Sequence, residues 1–304
     1  MGFNLYFAGQ QAKEVDEYII QKKCCRLFSQ ANERKDIMEY CALPRSVRPK
    51  LLVDSGAFSV AHAGKSVDID KYIEFINKND DGVTAWVELD SIPFPVLNAV
   101  TAKKCSEESW QSYLYMLPKI KSPEKLLPLY HFGEPKEHLK RILNTPLDIL
   151  GGKPAPYIGV GGRHGVSIQA QLHYFDDIFK IVKASSNPNV KIHAFGMTVL
   201  NLLEQFPFYS ADSTTWLQLG VNGNVITKHG IFVVSDRNKT SKNILNQPKE
   251  CVDIVRNDIA KFGYTLEEIS VDYKKRLMCN IDFFKDWADN YQYKPIGIRR
   301  KKLI

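Results

Sequence analysis

A single α/β barrel of the (β/α)8 type is the fold class this sequence predicts, on three observations. Eight short apolar runs alternate with amphipathic stretches of helical length as far as about residue 212. The runs are rich in β-branched, aromatic and leucine side chains, as strands buried on both faces must be. No G-x-G-x-x-G phosphate loop follows the first run, which continues Ala8-Gly9-Gln10-Gln11, so a doubly wound open sheet fits less well.

In chain order the expected strands are Asn4–Ala8, Cys25–Phe28, Leu51–Asp54, Ala85–Leu89, Leu127–His131, Tyr157–Val160, Lys191–Phe195 and Phe208–Ala211. Between them, Asp68–Asn77 sets Ile69, Tyr72, Ile73 and Ile76 on one helical face. Ser106–Leu117, Lys136–Leu143, Ile168–Ala184 and Val199–Gln205 read the same way, with Ser167 and the Ser106-x-x-Ser109 pair as caps. Beyond residue 220 the pattern changes to a hairpin (Asn224–Thr227 and Gly230–Ser235) and two helices, Glu250–Phe262 and Val271–Asn290. These read as a C-terminal helical elaboration, about 221–304, packed on a barrel core of about 1–220, in one domain of residues 1–304.

Composition narrows the function classes. At 44% hydrophobic and 25% charged, the chain has the make-up of a globular protein that can bury a large core. No stretch approaches the ~20 apolar residues of a membrane span, and MGFNLYFAGQ has no charged region followed by an apolar one, so a cytoplasmic protein without membrane partners is expected. Six cysteines (Cys24, Cys25, Cys41, Cys105, Cys251, Cys279) without a C-x-x-C pair read as reduced thiols, and neither a metal nor a cofactor is expected. The net charge of +7 permits a polyanionic substrate. Arg299 and Arg300, in the basic run that ends the sequence, read either as a solvated tail or as a phosphate-contacting arm.

A barrel gathers its reactive groups where its strands end, so those positions carry the functional reading. The third strand ends in Asp54-Ser55-Gly56-Ala57-Phe58, the fourth in Glu88-Leu89-Asp90 and the fifth in His131. The sixth ends in Gly161-Gly162, the seventh in Gly196-Met197 and the eighth in Asp212. One such Asp would serve only to cap the next helix. Three, with a histidine on the same rim, shift one another's pKa and form a site. Paired carboxylates suit glycosyl chemistry, one attacking the anomeric carbon while the other moves protons on the leaving group. Gly161-Gly162 lets backbone N–H groups approach a flat ligand, or simply turns the chain. His131 reads as a general acid, a donor to a base or a core histidine, while His193, earlier in its strand, reads as structural. Phe58 and Trp216 stack on a base or fill the core.

These residues resemble the tRNA-guanine transglycosylase superfamily. Asp54-Ser55-Gly56-Ala57-Phe58 is similar to its Asp-Ser-Gly-Gly-Phe motif, and the later motifs follow in the family's order over roughly residues 50 to 215. The resemblance implies that Asp212 is the nucleophile of a covalent glycosyl–enzyme intermediate and Asp54 the general acid/base. It implies that Asp90 and His131 hydrogen-bond the base, that Gly161 and Gly162 contact it through the backbone, and that Met197 forms one face of its slot. Ser55 and Phe58 belong with these base-binding residues.

Three departures bear on the substrate. The family's C-x-C-x-x-C…His zinc module is replaced by only Cys251 and Cys279, Ala57 stands for the second glycine, and Ser213-Thr214-Thr215-Trp216 follows the nucleophile. A short member without the zinc module is most like the branch that inserts free 7-deazaguanine bases into DNA, found in bacterial modification clusters and in phages, where the altered genome resists restriction enzymes. The expected function is therefore exchange of guanine in DNA for a 7-deazaguanine derivative. The alternatives are the same reaction on tRNA, or an unrelated barrel lyase or glycosidase using paired carboxylates. Arg163, Lys228, Arg299 and Arg300, with Lys103, Lys104 and Lys239, are the candidate phosphate contacts.

Overall fold

The computed structural model describes residues 2–57, 66–92, 98–162, 165–197 and 199–293. Its centre is a ring of parallel strands: β1 (Asn4–Ala8), β2 (Cys25–Ser29), β3 (Leu51–Asp54), β4 (Ala85–Val87), β5, β6 (Tyr157–Gly161), β7 (Lys191–Phe195) and β8 (Ser210–Ser213). Each pairs with the next, and β8 returns to β1. The break in the ring is within β5, which Pro128 divides into Leu126–Leu127, paired with β4, and Leu129–His131, paired with β6. Proline has no N–H to give to a ladder. The Glu88 side chain bridges the gap, its Oε1 accepting the Leu129 N–H at 2.7 Å. Burial pushes the Glu88 carboxyl well above its usual range, so it holds this place as a neutral acid.

Alternation along the strands makes two layers. Tyr6, Ala8, Leu27, Leu52, Val87, Leu127 and Tyr157 fill the barrel interior. Phe7, Phe28, Val53, Trp86, Tyr130 and Ile158 point the other way, into the core beneath the helices. Those helices are α1 (Lys13–Gln21), α2 (Arg34–Ala42), α3 (Ile69–Asn79), α4 (Ala99–Met116), α5 (Lys136–Asn144), α6 (Ile168–Lys183), α7 (Leu200–Leu203) and α8 (Thr215–Val221). Along α3 the expected face is buried through Tyr72, Ile73 and Ile76, and Ser167 caps α6 by accepting the Ala170 N–H at 3.2 Å.

Three sequence expectations are corrected. The fourth helix begins at Ala99, not Ser106, because the Asn98 side chain accepts the N–H groups of Val100 and Thr101 at 2.9 Å each while Thr101 answers with its hydroxyl. Ser106 and Ser109 are buried inside that helix. The last strand runs two residues later than expected, because Phe208 is taken up by the aromatic cluster of Phe175, Phe179 and Phe206. Finally, the expected Val271–Asn290 helix is found as α11 (Tyr273–Asp289), but an unexpected short helix, α10 (Leu266–Val271), runs before it, and Asp272 stops α10 and caps α11 by accepting the Lys274 N–H at 2.8 Å.

The segment after α8 forms the hairpin β9 (Asn224–Thr227) and β10 (Gly230–Val233), then α9 (Lys249–Ala260). With Ile269 and Cys279 it closes a small core of its own around Val225, Val234, Val255 and Ile259. Helix α11 belongs to both cores, because Leu277, Ile281, Phe284 and Ala288 lie in the barrel's outer layer. It packs on β1, α1 and α8 and so fills the place of the eighth outer helix, while α8 itself is short. The Phe3 N–H donates to the Ala288 carbonyl at 2.7 Å, tying the start of β1 to the end of α11. Among the described residues no helix is long and apolar enough to cross a membrane, and all six cysteines are free.

If α11 is part of the barrel wall, Phe284→Ala should lower unfolding stability by about 3–5 kcal/mol in urea titrations, the usual loss for a buried phenylalanine. A loss below about 1 kcal/mol would mark α11 as an appendage.

Candidate active site

Because the strands are parallel, Asp54, Asp90, His131, Gly161, Gly162, Met197 and Asp212 all stand at one end of the barrel, on or just after successive strands. They form two groups on opposite sides of that rim.

The first group is built on Asp212. Its Oδ1 accepts from the Gly196 N–H at 2.9 Å and from His193 Nε2 at 3.1 Å. Behind His193, Nδ1 lies 2.6 Å from Ser210 Oγ, which lies 2.6 Å from the Tyr157 hydroxyl. A proton arrangement that satisfies the whole chain has Tyr157 donate to Ser210, Ser210 to His193 Nδ1, and His193 Nε2–H to Asp212. No described residue bonds Asp212 Oδ2, and the carboxylate borders a cavity of about 400 Å³. One oxygen is anchored and the other is left for a ligand.

The second group is built on Asp54, Asp90 and His131. Ser55 Oγ donates to Asp90 Oδ1 at 3.2 Å, and His131 Nε2 lies 3.2 Å from Asp90 Oδ2. His131 Nδ1 is 3.3 Å from Glu134 Oε1, and the His131 backbone N–H donates to Glu134 Oε2 at 2.8 Å. Burial opposes a charge on His131, but the hydrogen bonds and charges of Asp90 and Glu134 outweigh it and raise the imidazole well above its ordinary value. His131 is therefore an imidazolium with both N–H groups given to carboxylates. Asp54 is only partly exposed and has no salt-bridging cation among the described residues. Burial, then the charges of Asp90 and Asp212, push its carboxyl up to about 7, against the pull of the Gly56 and Ser55 N–H groups.

The cavity reaches some sequence-predicted residues and not others. Asp212, Gly162 and Met197 line it, together with Gln171, Phe195, Thr214 and Gln218. Asp54, Ser55, Asp90, His131 and Gly161 do not, and meet Asp212 across the barrel mouth through charge alone. A Cβ on Gly161 would stand 3.0 Å from His131 Cδ2, so this glycine makes room for the imidazole. A Cβ on Gly162 would meet nothing among the described residues closer than Met197 Cε at 3.5 Å, and the residue lines the cavity. Trp216 is buried, donates to the Ala8 carbonyl at 3.0 Å and packs on Phe7, so it fills the core. Lys228 sits at the hairpin turn and pairs with Asp258 at 3.4 Å, away from the cavity-lining residues. Phe58, Arg163, Arg299 and Arg300 lie outside the described residues.

Sequence reasoning missed three partners. His193 is read correctly only through strand parity: it pairs with Ser210 in register, which puts Asp212 two residues further along the same inward face. Glu134 acts from a loop, and Gln171 reaches the cavity from α6 with its Oε1 unbonded. Among the described residues, no group of three or more His, Cys, Asp or Glu side chains is arranged to hold a metal ion.

Asp54 gives a stability test. Its folded value of about 7 exceeds the ordinary 3.8, so folding favours the protonated form, and that contribution is lost as the pH rises through about 7. Asp54→Asn should thus stabilise the protein above neutral pH, on the order of 2 kcal/mol after allowance for solvent at the mouth, with the gain shrinking toward pH ~4. Thermal melts of both proteins across that range measure it, and a pH-independent difference would contradict the raised value.

Compared with known proteins, the chain matches no family model and no curated protein.

Proposed function

We propose that this protein is a base-exchanging transglycosylase, akin to the tRNA-guanine transglycosylase superfamily, that replaces guanine in DNA by a 7-deazaguanine derivative. The observation that carries the reading is the division of labour between two carboxylates at one rim. Asp212 is hydrogen-bonded by His193 and Gly196 with one oxygen to spare, whereas Asp54 is held near neutrality at about 7. Environments that differ in this way are how a pair of carboxylates acquires a nucleophile and an acid/base.

In the first half-reaction Asp212 Oδ2 attacks the anomeric carbon, the glycosidic bond breaks, and Asp54 gives its proton to the departing guanine. The sugar is left as an ester on Asp212. In the second half the incoming base loses a proton to Asp54 and displaces Asp212 from the same carbon. Two inversions leave the configuration retained. Met197 and Gly162 offer a slot for the flat heterocycle beside Asp212. The His131 imidazolium, by neutralising Asp90, lets that carboxylate sit close to Asp54 without forcing either off the rim. DNA is favoured over tRNA by the missing zinc-type cysteine module and the sequence after Asp212. A duplex substrate would have to release the target nucleotide from its stack.

The test is release of label from guanine-labelled DNA and, separately, labelled tRNA, with several 7-deazaguanines in excess. Release from DNA is expected, reduced about a thousandfold or more in Asp212→Ala. Release from tRNA alone would keep the chemistry and change the polymer. Release from neither, with single- and double-stranded DNA both tried, would sink the reading. Because Asp54 must begin protonated, the burst of guanine release should fall as the pH rises through about 7. A burst that is flat across that range would remove Asp54 from the acid role.

A further inference from the structure

A second cavity, of about 510 Å³, lies beyond α8 and is bordered by Val221, Arg237, Asn238, Lys239, Tyr273 and Arg276. Arg276 is its unusual member. It is only 4% exposed, and its Nε and Nη1 are given to backbone carbonyls: Gly220 at 2.8 Å, Ser270 at 3.2 Å, and Ile269. Its Nη2 makes no hydrogen bond and the guanidinium no ion pair among the described residues, although burying a charge without a paired counter-charge is costly. Burial disfavours its charge, Asp236 and Asp272 favour it from beyond ion-pair reach, and nearby Arg237 opposes it again. Arg237 and Lys239 are exposed and make no ion pair among the described residues, and from Arg237 to Lys249 the loop carries four cations and no carboxylate. A fixed buried arginine with free cations converging on it has the chemistry of an oxyanion site. Tyr273, 43% exposed, adds a flat aromatic wall.

The cavity also has a definite relation to Asp212. Thr215 and Gln218 of α8 border the Asp212 cavity, and Val221 of the same helix borders this one. Thr215 and Val221 are six residues, or about 9 Å, apart along that helix. A stacked strand covers that in about three steps of ~3.4 Å.

We propose that this cavity is a phosphate-binding subsite, anchored by Arg276 and closed by Arg237 and Lys239, that takes a backbone phosphodiester of the strand whose target nucleotide reaches Asp212. The phosphate chemistry stands alone; its assignment to a polynucleotide rests on the transglycosylase reading.

The experiment measures binding of a fluorescein-labelled single-stranded oligodeoxynucleotide to the full chain by anisotropy, between about 50 and 200 mM salt. Arg237→Gln/Lys239→Gln, on exposed residues, should keep the melting temperature, weaken binding and make the salt slope shallower by about 1.4. Inorganic phosphate should raise the melting temperature of the wild type but not of Arg276→Gln. Unchanged affinity and slope in the double variant, in a protein that releases guanine from DNA, would overturn the subsite and leave the transglycosylase standing. Phosphate protection that Arg276→Gln removes, in a protein that neither binds the oligonucleotide nor releases guanine, would overturn the polynucleotide assignment together with the transglycosylase reading.

Discussion

Parallel pairing around a nearly closed ring gives every strand the same polarity, and the rest of the molecule depends on that constraint. It sends the ends of β3, β4, β5, β6, β7 and β8 to one rim, so residues spread from Asp54 to Asp212 meet at one mouth. It also gathers their negative charge there, in low dielectric. The chain copes by giving each carboxylate a different remedy. Asp212 receives hydrogen bonds, Asp90 receives a hydroxyl and an imidazolium, and the Asp54 carboxyl is pushed up to about 7, so that it can be carried uncharged below that pH. Unequal proton affinities among neighbouring carboxyls are a consequence of the crowding itself.

The constraint has a structural side at β5. A proline in a central strand would ordinarily leave an open seam, yet the neutral Glu88 carboxyl restores the hydrogen bond at Leu129. Two residues later comes His131, held on both sides by carboxylates. The same strand therefore carries an uncharged acid where the wall needs sealing and a charged base where the rim needs neutralising.

Most of this wall was legible in the sequence, because strands buried on both faces write themselves as apolar runs ended by turn residues. Asp54 and Asp212 were legible for the same reason: a strand end fixes which residue reaches the rim. What the sequence hid depended on partners distant along the chain. The Asn98 cap competes with Ser106 only through geometry, and His193 looked structural until its register with Ser210 set it beneath Asp212. Arg276 is hidden more deeply, since an arginine on an amphipathic helix ordinarily reads as surface. Its burial follows only once Gly220 and α10 close over it.

The bond between Phe3 and Ala288 bears on how the chain acquires its fold. As synthesis proceeds toward the C-terminus, β1 and α1 emerge well before residues 273–289 and must wait for them before their outer face is covered. Contacts of such sequence separation form slowly, and until they form the outer face of β1 stays uncovered. The hairpin and α9 that come between carry a small core of their own and can therefore fold as a local unit. The nascent protein can thus close its ring at β8 and still keep one side of the barrel wall bare until α11 arrives, so the last helix completes a wall whose strands are already in place.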